Sequence, residues 1–326
     1  PAYTYCATAN VVIHAGAKPV MVDVNEDDFN ISINAVRNTI TPKTKAIIAV
    51  DIAGYPADYD ELHQLVRENQ INSLYNPENS VQQKLNRIAI VSDAAHSIGG
   101  IYNGARTGNQ ADMSSFSFHA VKNLTTAEGG AVAFNLKEFS SQELQQKFKV
   151  SSLHGQTKDA FSKNQIGAWK YDVVEAGFKC NMTDLQAAIG LVELKRYEET
   201  LERRKTIFEK YQNALSKKAW AKVPLFSSNN KTSSYHLYML RIKDISEEKR
   251  DVIIAKTSEK EVAVNVHYLP LAMLTYYRNK GYTINDYPQT YENYKAEITL
   301  PVYYNLTDSQ VETVINAVVE SVEEVI

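Results

Sequence analysis

Two cysteines, Cys6 and Cys180, are all that the 326 residues hold. Neither sits in a CxxC pair, which excludes a disulfide framework. A reducing compartment, the cytoplasm, is therefore expected. No apolar run reaches the roughly 18 residues that a membrane-spanning helix needs. No signal peptide, internal repeat or low-complexity tract is visible. Basic charge is not in excess: 35 Lys and Arg stand against 38 Asp and Glu, for a net charge of −3. A nucleic-acid binder would carry a basic stripe, so that class is disfavoured. What remains is an ordinary globular composition, 44% hydrophobic and 22% charged, with tyrosine frequent at 20. The length suits two domains, or one large α/β domain with an appendage.

The first half alternates strand-like and helix-like segments. "PVMVDV" (19–24), "KAIIAVD" (45–51) and "IAIVSDAAH" (88–96) read as short buried strands. Between them, "SINAVRNTI" (32–40) carries a Ser cap, and "DYDELHQLVREN" (58–69) reads as a capped amphipathic helix. This β-α-β-α-β order predicts a mainly parallel sheet covered by helices. The polar stretch 71–87 reads as a long, mobile surface loop. A long helical pattern runs from 184 to 215, and its charged residues read as a solvated face. Strand-like 235–242, helix-like 246–259, strand-like 262–268 and a terminal helix from Thr307 make an α+β tail, read as a second, smaller domain.

Chemistry concentrates in "SFSFHAVKNLTTAEGG" (115–130). A run of β-formers ends there, and a lone lysine, Lys122, follows in a segment almost free of other charge. Open α/β sheets bind ligands beyond the carboxyl ends of their strands. Asp93 ends an earlier strand, in "VSDAAHS". An acid and a lysine at neighbouring strand ends suit pyridoxal phosphate (PLP). The amine can join the aldehyde, and the acid can keep the pyridine nitrogen protonated. Desolvation would lower the proton affinity of the lysine and free its amine to act. Either residue alone reads as a turn-capping Asp or a surface Lys.

The surrounding motifs extend the pattern. "SFHAVKNLTTAEGG" resembles the lysine motif of the DegT/DnrJ/EryC1/StrS family of sugar aminotransferases, and "DAAHSIGG" resembles that family's cofactor-aspartate motif. "AYTYCATANVVIHAGAKPVMVDV", "ITPKTKAIIAVDIAGYPADYDEL", "GFKCNMTDLQAAIGL" and "LPVYYNLTDSQVETVI" are similar to further family segments in the same order. The resemblance spans essentially the whole chain and is strongest to aminotransferases acting on UDP-4-keto sugars.

It implies a PLP-dependent transferase of fold type I. The large domain (1–190) would be a three-layer α/β/α unit with a mainly parallel, seven-stranded sheet. A linking helix and a smaller C-terminal α/β domain would occupy 191–326. Lys122 would be the Schiff-base lysine and proton shuttle, and Asp93 the partner of the pyridine nitrogen. His96 would lie near the cofactor's phenolic oxygen, Tyr5 would stack on the ring, and Ser117 would hold the phosphate. Lys179, with Asn181 beside it, would reach the cofactor of a partner subunit, so a homodimer with shared active sites is implied. His267 and Tyr268, in "NVHYLP", would line the sugar site. Glu128 is given no step, and Gly129 and Gly130 are expected to serve backbone geometry. No metal is expected.

The implied reaction moves an amino group from an amino acid, glutamate, through pyridoxamine phosphate (PMP) to a nucleotide-linked keto sugar at C4, with ping-pong kinetics. Polysaccharide biosynthesis would be its setting. Two alternatives stay open. A PLP-binding sugar dehydratase would replace the lysine with histidine, and Lys122 is present. A non-catalytic, cofactor-binding regulatory homologue is favoured by one feature: the family's phosphate-holding Gly-Thr loop would precede Pro1. Residues ahead of Pro1 are accordingly expected to be missing.

Overall fold

The structure, a computed structural model, describes residues 1–158 and 169–326. Its main sheet holds strands β1 (Ala46–Val50), β2 (Ala89–Asp93), β5 (Met113–Ser117) and β6 (Gly130–Phe134), side by side in that order. β1, β2 and β5 run parallel, and β6 is antiparallel to β5. The parallel register sets Val50 beside Asp93 and Asp93 beside Ser115, so the carboxyl ends of the three strands lie together. Helix Tyr59–Arg67 covers the sheet by burying Leu62, Leu65 and Val66 against Ile47, Ala49 and Ile90. Each such side chain contributes about 1.5–3 kcal/mol on burial.

Among the described residues this sheet has four strands, not the expected seven. Segment 19–24 is not a strand. Met21, Val22 and Val24 are buried, but only Val24 pairs, in a single bridge to Ile31. An apolar run reports burial, and here packing rather than sheet pairing achieves it. Its Asp23 has another task. The carboxylate accepts the backbone N–H groups of Gln289 (2.8 Å) and Thr290 (2.7 Å), capping helix Pro288–Ala296. Those N–H groups have no partner within their own helix, and the positive end of its dipole favours an anion.

Other expectations need similar correction. Segment 71–87 contains a helix, Ser80–Leu85. Asn79 caps it through Gln82 N (2.9 Å), and Asn86 closes it in the left-handed region. Asp58 heads helix Tyr59–Arg67 without capping it, because its carboxylate pairs with the buried Lys231. The 184–215 pattern forms two helices, Asp184–Lys195 and Tyr197–Leu215, that break at Arg196. Arg204 in the second is buried rather than solvated, and donates to the carbonyls of Tyr235 (3.2 Å) and Val302 (3.2 Å). Segment 262–268 is likewise not a strand. Its one bridge, Asn265 to Thr299, fixes the point from which the chain turns toward His267.

Two small sheets complete the fold. β3 (Ile101–Tyr102) lies between β4 (Ala105–Arg106) and β8 (Lys231–Thr232), and β9 (Tyr238–Ile242) lies between β10 (Glu297–Leu300) and β7 (Ala221–Lys222). The β9–β10 pair is antiparallel and buried along its whole length. Helices Tyr197–Leu215, Glu247–Glu259 and Asp308–Glu323 pack Phe208, Tyr211, Ile253, Val311 and Val318 into the same core as Tyr238, Leu240 and Ile298. No described helix is long and apolar enough to cross a membrane. Both cysteines are free thiols.

Candidate active site

The site is built on the carboxyl end of β2. Asp93 is the last residue of that strand, and its side chain is held from two directions. Thr8 Oγ1 donates to Oδ2 at 2.7 Å, and Ala95 N donates to Oδ1 at 3.2 Å. Thr8 belongs to helix Ala7–His14, and Thr4 Oγ1 lies 2.9 Å from its hydroxyl. Because the Thr8 proton goes to Asp93, Thr8 accepts the proton of Thr4.

The turn after β2 carries His96 inward, where it is buried. Its Nε2 is hydrogen-bonded to the Tyr268 hydroxyl at 3.0 Å. Its Nδ1 is buried with no hydrogen-bond partner in the protein. The ring packs on His236 with centroids 4.4 Å apart.

Lys122 lies past β5, in a turn closed by its own N–H to His119 O (2.9 Å). Neighbouring Asn123 anchors the turn. It is buried, donates to Ser234 O (2.7 Å) and accepts from His236 Nδ1 (2.7 Å). Lys122 itself is half-buried. Burial lowers its pKa, and the Asp93 carboxylate acts in the opposite direction. Three imidazoles share this field. Burial, then the charge of Lys122, pushes His96 well down and His267 down to about 4. His236 is also held well down by burial, with His96 and Lys122 adding to it. All three are neutral at pH 7, so they offer hydrogen bonds without competing charge.

The opposite wall comes from far along the chain. Tyr268 lies 5.7 Å, centroid to centroid, from Tyr5. Burial raises its phenol pKa, with Asp93 contributing, so the hydroxyl keeps its proton. Tyr5 is 58% exposed, which rules out a core role and leaves its face open at the site. His267 is held by its backbone and its ring. Its N–H donates to Glu297 Oε2 (2.9 Å), Nδ1 lies 3.0 Å from Thr299 Oγ1, and its carbonyl accepts from Tyr3 (2.7 Å).

Lys122, Asp93, His96, His267, Tyr268 and Tyr5 are thus drawn together. Ser117 is half-buried at the end of β5, where its hydroxyl accepts from His119 N (3.3 Å). Lys179 and Asn181 lie exposed and bond to one another, not to this cluster. Glu128 faces His119 at 3.6 Å. Gly130 serves geometry, since a Cβ there would stand 2.6 Å from the Phe116 carbonyl. No group of three or more His, Cys, Asp or Glu among the described residues could hold a metal. Thr8, Asn123 and His236 are additions that sequence reasoning missed. Only Thr8 left a trace, in its four-residue spacing from Thr4 on the segment that carries Tyr5.

The DegT/DnrJ/EryC1/StrS aminotransferase family model matches residues 1–75 and 80–319. The chain belongs to this family. In structure it superposes on Spr1654 of Streptococcus pneumoniae, which carries a provisional designation as a sugar aminotransferase. The TM-score to its PMP-form is 0.95 at 42% identity, covering 100% of this chain and 81% of that one. The PLP-form gives 0.94 at 40% identity, covering 100% and 80%. PseC of Helicobacter pylori, an aminotransferase involved in pseudaminic acid biosynthesis, gives 0.83 at 27% identity, covering 99% and 78%. The spore coat polysaccharide biosynthesis protein SpsC of Bacillus subtilis is 33% identical over 319 residues, 97% of this chain and 76% of SpsC.

The residues present fit PLP. A half-buried amine stands in the field of a carboxylate whose oxygens are already oriented by Thr8 and Ala95. The orphaned Nδ1 of His96 leaves one buried polar atom for a bound ring to satisfy.

Proposed function

We propose that this family member is a PLP-dependent aminotransferase that moves an amino group from glutamate to C4 of a nucleotide-linked keto sugar. The observation that carries the reading is Lys122, half-buried in the field of Asp93 and ringed by neutral imidazoles. The names of PseC and SpsC favour a sugar substrate and polysaccharide synthesis. The two cofactor forms of Spr1654 favour PLP and PMP.

When bound, PLP supplies an aldehyde that accepts the amino group and a ring that draws electrons from the reacting carbon. The protein does the rest. Lys122 supplies the amine that holds the cofactor, and then moves the proton at the substrate carbon. Asp93, oriented by Thr8, would hold the ring nitrogen. His96 would offer its unpartnered Nδ1 to the phenolic oxygen, and Tyr5 would lie against the ring. Ser117 would hold the phosphate. His267 and Tyr268 receive the sugar.

Lys179 and Asn181 serve the site of a partner subunit in a homodimer. Supporting this, helix Asp184–Lys195 buries none of its residues in the single chain, although it carries Leu185, Ile189, Leu191, Val192 and Leu194. Leu185 is 81% exposed. Exposed apolar residues this numerous, on several sides of one helix, mark an interface. The boundary between a large domain, 1–190, and a small one, 191–326, is part of the same reading. Two free cysteines suit a reducing compartment, the cytoplasm.

The test is incubation with glutamate and a panel of UDP- and dTDP-linked 3- and 4-keto sugars, read by product mass. An amino sugar is expected from a 4-keto substrate, with ping-pong kinetics. Borohydride should fix the cofactor on the peptide that carries Lys122, and Lys122→Ala should lower turnover at least about 10³-fold. Ternary-complex kinetics, or full turnover by Lys122→Ala, would refute the reading.

A further inference from the structure

Behind His267 lies a buried chain of polar groups that no step above uses. Glu297 is fully buried in β10, on the strand that pairs with β9. Its Oε2 accepts the His267 N–H at 2.9 Å, and its Oε1 is bonded to Thr299 Oγ1. Thr299 Oγ1 in turn lies 3.0 Å from His267 Nδ1. The sequence of groups is carboxyl, hydroxyl, imidazole, with the far nitrogen, Nε2, given no partner by the described residues.

A threonine hydroxyl carries one proton and can point it one way only. If Glu297 is ionised, the hydroxyl donates to Oε1. It can then only accept from His267, so the ring proton sits on Nδ1 and Nε2 is a bare acceptor. If Glu297 is protonated, Oε2 is already committed to the His267 N–H, so the new proton sits on Oε1 and points at the hydroxyl. The hydroxyl must then donate to Nδ1, and the ring proton sits on Nε2. One proton is taken up, by Glu297. His267 stays neutral in both states and exchanges its single proton between its two nitrogens through solvent.

We infer that Glu297, acting through Thr299, decides which nitrogen of His267 carries the proton, and so whether the site offers the substrate a hydrogen-bond donor or an acceptor. Glu297 and Thr299 are positioning residues. The consequence for substrate rests on the proposed function, in which His267 meets the sugar.

The surroundings allow both states. Burial pushes Glu297 up to about 8, against the hydrogen bonds from Thr299 and His267 and the charges of Arg250 and Arg241. Arg241 comes from β9 and Arg250 from helix Glu247–Glu259, Tyr3, His267 and Tyr268 lie around it as well, and the charge of Lys122 faces His267. The two phenols keep their protons, with Glu297 adding to the effect of burial on each. His267, held down to about 4, does not charge in this range. Below about 8 the site presents Nε2–H, and above it a lone pair.

The test is nitrogen NMR of the full chain labelled on histidine, with His267 assigned by its loss in His267→Gln. In the wild type the proton is expected on Nε2 at pH 6.5 and on Nδ1 at pH 9.5. Glu297→Gln mimics the protonated carboxyl, with its carbonyl on the His267 N–H and its amide donating to Thr299. It should keep the proton on Nε2 at every pH. Thr299→Val cuts the chain and should abolish the pH response, whereas Thr299→Ser should restore it. A wild-type His267 that holds one tautomer from pH 6.5 to 9.5, or a Glu297→Gln protein that still switches, overturns the inference.

Kinetics separate this from the sugar reading. If His267 meets the sugar, Thr299→Val raises the sugar KM about tenfold, the worth of one hydrogen bond, and leaves the glutamate half-reaction unchanged. A tautomer that switches as described while the sugar KM ignores Thr299→Val upholds the device and removes His267 from the sugar site.

Discussion

The Thr8 hydroxyl donates to the Asp93 carboxylate at 2.7 Å across 85 residues of sequence. A helix at the start of the chain thereby orients the acid at the end of β2. A hydrogen bond to a charged group contributes about 1.5–3 kcal/mol. Thr8→Val should weaken PLP binding by about tenfold or more while leaving the fold intact. Fluorescence titration of the apoprotein with PLP measures this. Unchanged affinity would mean that Ala95 N alone orients Asp93.

Lys122 should titrate below the ordinary lysine value of 10.5, because burial disfavours its ammonium form. Asp93 raises the Lys122 pKa, so removing that charge should lower it further. The modification rate of Lys122 in the apoprotein, followed against pH by peptide mass, should rise with a midpoint below 10.5. In Asp93→Asn the midpoint should move to lower pH still. A shift to higher pH would show that the two groups do not share one field.

Glu297 links stability to pH in the direction opposite to a salt-bridged acid. Its folded value, about 8, lies above the ordinary glutamate value of 4.5. Below about 4.5 the carboxyl is protonated in both states and folding bears no penalty. As pH rises toward 8 the unfolded chain releases that proton more readily, so this contribution is lost progressively, by at most roughly 1.4 kcal/mol per pH unit. Urea unfolding between pH 5 and 8 should show the decline, and Glu297→Gln should flatten it. Equal slopes for the two proteins would show that Glu297 ionises as easily folded as unfolded.

Leu185 and Leu191 stand exposed on helix Asp184–Lys195, which contributes nothing to the core of its own chain. The double substitution Leu185→Glu and Leu191→Glu should therefore leave the circular dichroism unchanged and convert a dimer to a monomer in sedimentation. The monomer should also hold PLP less tightly, because Lys179 would no longer reach a partner. A wild-type protein that sediments as a monomer would end this reading.

The strand ends that gather the candidate site are legible in the sequence because of a sharp change of character. Asp93 and Lys122 each follow an apolar strand with a lone charged group, and such a placement is costly without a purpose. The helix at 32–40 is legible through its serine cap, and Ser32 accepts the expected backbone N–H from Ala35. The strand-like reading failed at 19–24 and 262–268, where Met21, Val22, Val24 and Val262 are buried by packing and each segment pairs in a single bridge. Short apolar runs do not distinguish these outcomes. The supporting residues were hidden for another reason. Asn123 and His236 act through hydrogen bonds to partners more than 110 residues away in sequence, and no local pattern announces such a bond. Glu297 was equally silent, since a glutamate in a strand gives no sign that it will be buried.

The bond between His96 and Tyr268 joins residues 172 positions apart. A ribosome adds roughly 5–20 residues per second, so the second wall of the site is made some ten to thirty seconds after the first. During that interval Asp93 and Lys122 already exist, but the wall that His267 and Tyr268 supply does not. Under the proposed function, the pocket that would receive the aldehyde is therefore complete only once this distant segment has docked.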